Sequence, residues 1–150
     1  MRVRLWLGLK IAVFAALAVL LGLGVFTFIY ARGGSYFSDD PKACVSCHIM
    51  NDVYNSWSRS SHQAVATCNA CHVPHDFLSK WLSKARNGFN HSIAFTLQNF
   101  PEPIRISEVN RNILQANCIE CHSVIVSEIV HEANADRACF ACHRGVGHGP

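Results

Sequence analysis

The pentapeptide Cys-x-x-Cys-His occurs four times in this chain, at residues 44–48, 68–72, 118–122 and 139–143. Two cysteines three positions apart lie one helical turn from each other, the spacing at which two thiols add to the two vinyl groups of a single porphyrin. The histidine that follows falls beneath the iron as an axial ligand. Cys44, Cys47, Cys68, Cys71, Cys118, Cys121, Cys139 and Cys142 are all the cysteines of the chain, so none remains for a disulfide. Paired Cys-x-x-Cys units also build Cys₄ zinc knuckles, but a zinc knuckle has no need of a histidine after its second cysteine. Here one follows every time, and the pattern reads as four covalently bound haem c groups.

A chain of 150 residues is one domain's worth of polypeptide. About 120 residues wrapped round four haems are too few to build an ordinary apolar core as well, so the porphyrins must themselves be the core. The expected fold is mainly α with long loops, stabilised by covalent attachment and iron ligation as small metal-dependent domains are. The net charge of +3 belongs to the N-terminus. Arg2, Arg4, Lys10 and Arg32 stand there without any acid, whereas residues 33–150 hold nine Lys and Arg against ten Asp and Glu. That balance offers no basic face to nucleic acid.

Residues 11–30 read IAVFAALAVLLGLGVFTFIY. About 20 apolar residues at 1.5 Å each match a bilayer core about 30 Å thick. Arg2, Arg4 and Lys10 ahead of the run favour a cytoplasmic N-terminus, and Trp6 and Tyr30 suit the two interfaces. The other reading is a cleaved signal peptide, whose apolar run is about 7–15 residues and ends at a small-residue site. This run is longer and Tyr30-Ala31-Arg32 is a poor site, which favours an uncleaved anchor. The expected division is a cytoplasmic N-terminus and single transmembrane helix over residues 1–32, and a periplasmic tetrahaem cytochrome c domain over residues 33–150, tethered to the bacterial inner membrane.

Gly33-Gly34 and Asp40-Pro41 make residues 33–43 a turn-rich linker. The first two motifs are 24 residues apart and the last two 21, giving two haem pairs with a longer segment between. In that segment Asp76 is placed to cap a helix on which Phe77, Trp81, Leu82, Ala85 and Phe89 recur at helical spacing, with Lys80, Lys84 and Arg86 among them. Such a basic, aromatic helix suits a membrane surface and equally suits packing against haem. Ser107 caps a further helix to residue 117, another covers 124–131, and the chain from residue 144 reads as a polar tail.

Four irons offer eight axial positions, and the motif histidines fill at most four. His62, His75, His91, His131 and His148 remain, with Met50 as a thioether. For any one of these histidines, ligation competes with proton carriage or a propionate contact. Met50 stands two residues past His48, too close for the two to reach opposite faces of one haem easily. Met50 in the proximal position displaces His48 and raises the iron's potential; the alternative is a methionine packed on the porphyrin edge.

Taken together, the N-terminal anchor, CVSCHIM at the first motif, CNACHVPHD at the second, the stretch FPEPIRI and CFACHRGVGH at the fourth resemble the NapC/NirT family of membrane-anchored multihaem quinol dehydrogenases. Within it they are most similar to the small-subunit (NrfH-type) branch of cytochrome c nitrite reductase, and the likeness covers almost the whole chain. The resemblance implies a membrane-bound tetrahaem quinol dehydrogenase that oxidises menaquinol from the membrane quinone pool. It passes the electrons to a periplasmic pentahaem nitrite reductase catalytic subunit, in anaerobic respiration of nitrite to ammonia. The chain is then the quinol-oxidising electron-transfer subunit and not the nitrite-reducing one.

Residue by residue, the resemblance implies Met50 as ligand of the first haem in place of His48, and His72, His122 and His143 as proximal ligands of the second, third and fourth. It gives His62 to the fourth haem and His148 to the third as distal ligands. The second haem is left to a ligand from the catalytic subunit. The family's quinol pocket, beside the first haem, uses a lysine and an acid. Lys84 matches the lysine, but no Asp or Glu lies between Phe77 and Pro101. His91 stands where the acid is expected, as proton acceptor or as ligand on the open face of the first iron. The alternative function is a passive membrane-tethered electron-transfer cytochrome serving another periplasmic reductase. A self-contained terminal reductase finds no surplus of Arg, Tyr or Lys around any motif.

Overall fold

The computed structural model describes residues 2–132 and 138–149; the side chains of residues 2 and 129–132 lie outside that description. Helix α1, Arg2–Tyr30, is built of Leu, Ala, Val and Phe with neither proline nor acid to interrupt it. It starts well before the apolar run at residue 11, because Arg4 and Lys10 are good helix formers and simply extend it. An 18-residue window within Val3–Tyr30 has a mean hydropathy of 2.6, and none of it is buried against protein. A helix of 28 residues spans about 42 Å, enough to cross a bilayer core. A 3-10 turn, Gly33–Phe37, follows, with the Phe37 ring 6.5 Å from that of Phe28. This first compact unit ends at Phe37, and the second begins at Ser38.

Among the described residues the second unit is helices and loops without strands, in keeping with the expected mainly α fold. A 3-10 turn, Pro41–Ser46, and another, His48–Met50, lead into α2, Asn51–Trp57. Then come α3, Cys68–His72, α4, Phe77–Leu97, α5, Glu108–Cys121, α6, Ser123–Glu132, and α7, Cys139–Cys142. Thr67, Asp76 and Ser107 cap α3, α4 and α5 by accepting from the amides of Ala70, Ser79 and Asn110. Gln98, in the left-handed region at φ 53°, closes α4. Helix α5 runs past the expected end at residue 117 and carries the third motif, since EVNRNILQANCIEC holds no breaker.

Protein atoms alone bury very little. Among the described residues only Trp57, Val73, Lys84 and Asn117 are buried, and no side chain is wholly enclosed. A domain of this size ordinarily buries more than about 60% of the surface its unfolded chain exposes, so the polypeptide here is a shell that needs other apolar matter to pack on.

Side-chain amides join the motifs to one another. Asn117 Nδ2, one residue before the third motif, donates to the carbonyls of Ala70, Cys71 and Val73 at the second, at 3.3, 3.0 and 2.9 Å. Gln115 Oε1 accepts from the amide of Cys139, at the fourth motif, at 2.8 Å. The tail is docked rather than loose. Gly149 N donates to Ser56 O at 3.3 Å, Ser56 Oγ donates to Gly149 O at 3.0 Å, and Ser61 Oγ reaches Val146 O. Polar composition concealed this attachment, because it runs through backbone groups that any sequence supplies.

Candidate haem and quinol sites

Helix α3, the end of α5 and helix α7 set the paired cysteines of the second, third and fourth motifs one turn apart, with His72, His122 and His143 at or just past each helix end. The first motif is built differently. Its helical turn breaks at Cys47, whose backbone is extended at φ −107° and ψ 126°, and restarts at His48. His48 is left exposed while Met50 is half-buried.

The histidines fall into two facing pairs. The rings of His72 and His148 stand 6.1 Å apart, and those of His62 and His122 also 6.1 Å. Two imidazoles that share one metal at the usual bond length of about 2 Å have ring centres roughly 6 Å apart. His148 Nδ1 meets the Val53 carbonyl at 3.3 Å and His62 Nδ1 meets Ser61 Oγ at 3.2 Å. Such outer contacts occupy one nitrogen and leave Nε2 for a metal. Burial, with His148 beside it, pushes His72 below the ordinary histidine value and keeps it in the neutral form that binds metal.

The tail docked on α2 brings His148 beside the second motif's histidine, and His62 stands beside the third motif's. The side chain of His131 lies outside the described residues.

His75 is not available to iron, since both its nitrogens are engaged, Nδ1 with Glu120 and Nε2 with the Ala70 carbonyl, each at 3.0 Å. It clips the second motif to the third. The Ala70 carbonyl and then Glu120 raise its pKa above the ordinary value. A raised folded-state pKa stabilises fully below the unfolded value near 6.5 and is lost as pH rises through the folded one. The thermal midpoint of the holoprotein is expected to fall between pH 6 and 8 by an amount corresponding to under about 1 kcal/mol, as the pair is partly exposed. His75→Gln is expected to abolish that part of the pH dependence, and an unaltered profile would contradict the clip.

Cys44 and Cys68, of the first and second motifs, lie within hydrogen-bond reach of each other. Among the described residues no three His, Cys, Asp or Glu side chains converge on one point, so a Cys₄ zinc cage is not what the fold builds. Thiols in one-turn pairs, imidazoles at metal-sharing separation and a shell without its own core all fit four attached haems.

Beside the first motif lies a charged cluster. Lys84, in the middle of α4, is only 7% exposed. Its ammonium donates to Asp39 Oδ1 at 2.8 Å and to the Ser38 carbonyl at 3.1 Å, and lies 5.5 Å from the centre of the Trp81 ring. Asp39 Oδ2 accepts from Lys80 at 2.7 Å, and Asn69 Nδ2 donates to Asp39 Oδ1 at 2.7 Å. Lys80, Lys84 and Asn69 together hold the Asp39 carboxyl well below the usual carboxylate range. His91 follows Lys84 by seven residues, about 20° round the helix and so on the same face, and its side chain is exposed. Asp39 is the residue that sequence reasoning missed. The acid beside Lys84 comes from the linker and not from α4; the available signal was that a buried lysine requires an anion.

The chain matches the model of the NapC/NirT cytochrome c family, N-terminal region, over residues 7–150. It belongs to that family. Among curated relatives, this NapC/NirT cytochrome is 39% identical over 144 residues to the cytochrome c-type protein NrfH of Wolinella succinogenes, an alignment covering 88% of this chain and 81% of the relative. It is 34% identical over 137 residues to the cytochrome c nitrite reductase subunit NrfH of Nitratidesulfovibrio vulgaris, covering 89% and 85%. Its fold matches a chain in the crystal structure of the cytochrome c nitrite reductase NrfHA complex bound to the HQNO inhibitor. The TM-score is 0.67 at 33% identity, over 87% of this chain and 90% of the other. As a c-type cytochrome of this family the chain carries haem c.

Proposed function

We propose that this NapC/NirT cytochrome is a membrane-bound tetrahaem quinol dehydrogenase that oxidises menaquinol and passes electrons to a periplasmic pentahaem nitrite reductase catalytic subunit. The observation that carries the quinol reading is the buried, paired ammonium of Lys84 beside the first haem motif. The partner follows from the likeness to the NrfH chains and the NrfHA complex. Helix α1 is the single anchor, with Arg2, Arg4 and Lys10 keeping its N-terminus cytoplasmic.

Haem c, when bound, supplies one-electron redox chemistry. The eight cysteines attach four groups. Met50 would hold the first, the facing pair His72 and His148 the second, and the pair His62 and His122 the third. His143 would hold the fourth. An ammonium has three N–H donors. Lys84 commits two, to Asp39 and Ser38, and the third binds a quinol oxygen. Asp39, held ionised, is a poor base. His91, on the same helix face, accepts the proton, since a neutral imidazole suits that task near pH 7.

Met50→Leu tests the electron entry. Quinol oxidation is expected to fall about tenfold or more, with the spectra of the other three haems unchanged. Wild-type quinol turnover in that variant would remove Met50 from its assigned role.

A further inference from the structure

We infer that Asp39 is the positioning residue of the quinol site, one carboxylate oxygen holding Lys84 while the other is held by Lys80. The inference rests on the reading of Lys84 as the quinol-binding lysine. Three parts of the chain meet on this carboxylate. Asp39 belongs to the linker, Asn69 to the second haem motif, and Lys80 and Lys84 to α4.

A buried ammonium persists in the charged form only where an anion and further acceptors replace its water. For Lys84 the anion is Asp39 and the further acceptor is the Ser38 carbonyl next to it, so one dipeptide sets where the third N–H points. Asp40 does not substitute, because its carboxylate caps the following turn by accepting from Lys42 N at 2.8 Å. Lys80 is more exposed than Lys84 and steadies the carboxylate from the solvent side. Both oxygens of Asp39 are occupied, so it acts through Lys84 and does not itself take the quinol proton.

The test uses the full holoprotein in liposomes with a menaquinol analogue. Asp39→Asn is expected to raise KM about tenfold, the weight of a charge-assisted hydrogen bond, with kcat changed less than about twofold, as for an interaction made equally in ground and transition states. Haem content and unfolding midpoint are expected to stay native. In a Lys84→Met background Asp39→Asn is expected to add nothing.

A wild-type KM in folded Asp39→Asn, or an equal loss in the Lys84→Met background, overturns the inference. Should Asp39→Asn lower the unfolding midpoint, Asn69→Ala decides. It removes one hold on the carboxylate and is expected to raise KM about threefold, and a wild-type value there overturns the inference. Wild-type turnover in Lys84→Met itself sinks the quinol reading of Lys84. Loss in Lys84→Met with Asp39→Asn unchanged sinks only the role of Asp39.

Discussion

Lys84→Met is expected to lower menaquinol oxidation about 10- to 100-fold while leaving all four haems attached. A hydrogen bond from a charged donor contributes about 1.5–3 kcal/mol, and each 1.4 kcal/mol is about a factor of ten. Methionine fills the buried space of the lysine stem without its charge. Asp39 retains Lys80 and Asn69, so the linker stays joined to α4 and to the second motif. Turnover with a menaquinol analogue, set beside reduction by a chemical reductant, separates loss of quinol binding from loss of haem. Native quinol turnover with intact haems would leave the buried ammonium without a function.

The second large effect concerns the paired histidines. Removing an internal distal ligand opens one iron, so His148→Ala and His72→Ala are expected to disturb the same haem signal, and His62→Ala and His122→Ala a different one. This follows from the two 6.1 Å ring separations. Electron paramagnetic resonance of each variant reads the result. If His62→Ala matched His143→Ala instead, the facing pairs would not be ligand pairs.

The sequence disclosed what is local and chemical. The apolar run announced α1. Asp76 and Ser107 marked the starts of α4 and α5, because caps and helical spacing are read from neighbours in the chain. What it concealed is what depends on distant residues meeting. Asp39 reaches Lys84 across 45 positions, and nothing along α4 points to the linker. His148 meets His72 only because the tail is tied to α2 by backbone bonds, which composition does not record. The break at Cys47 is likewise a matter of backbone angles.

Reduction by quinol of the liposome-embedded holoprotein tests the central claim most directly. With excess menaquinol analogue and no partner, the haem bands are expected to shift to the reduced form through the first haem, and Lys84→Met to slow that shift without changing the final extent of chemical reduction. Haems that stay oxidised with quinol yet reduce fully with dithionite would contradict a quinol dehydrogenase and leave only a passive electron carrier.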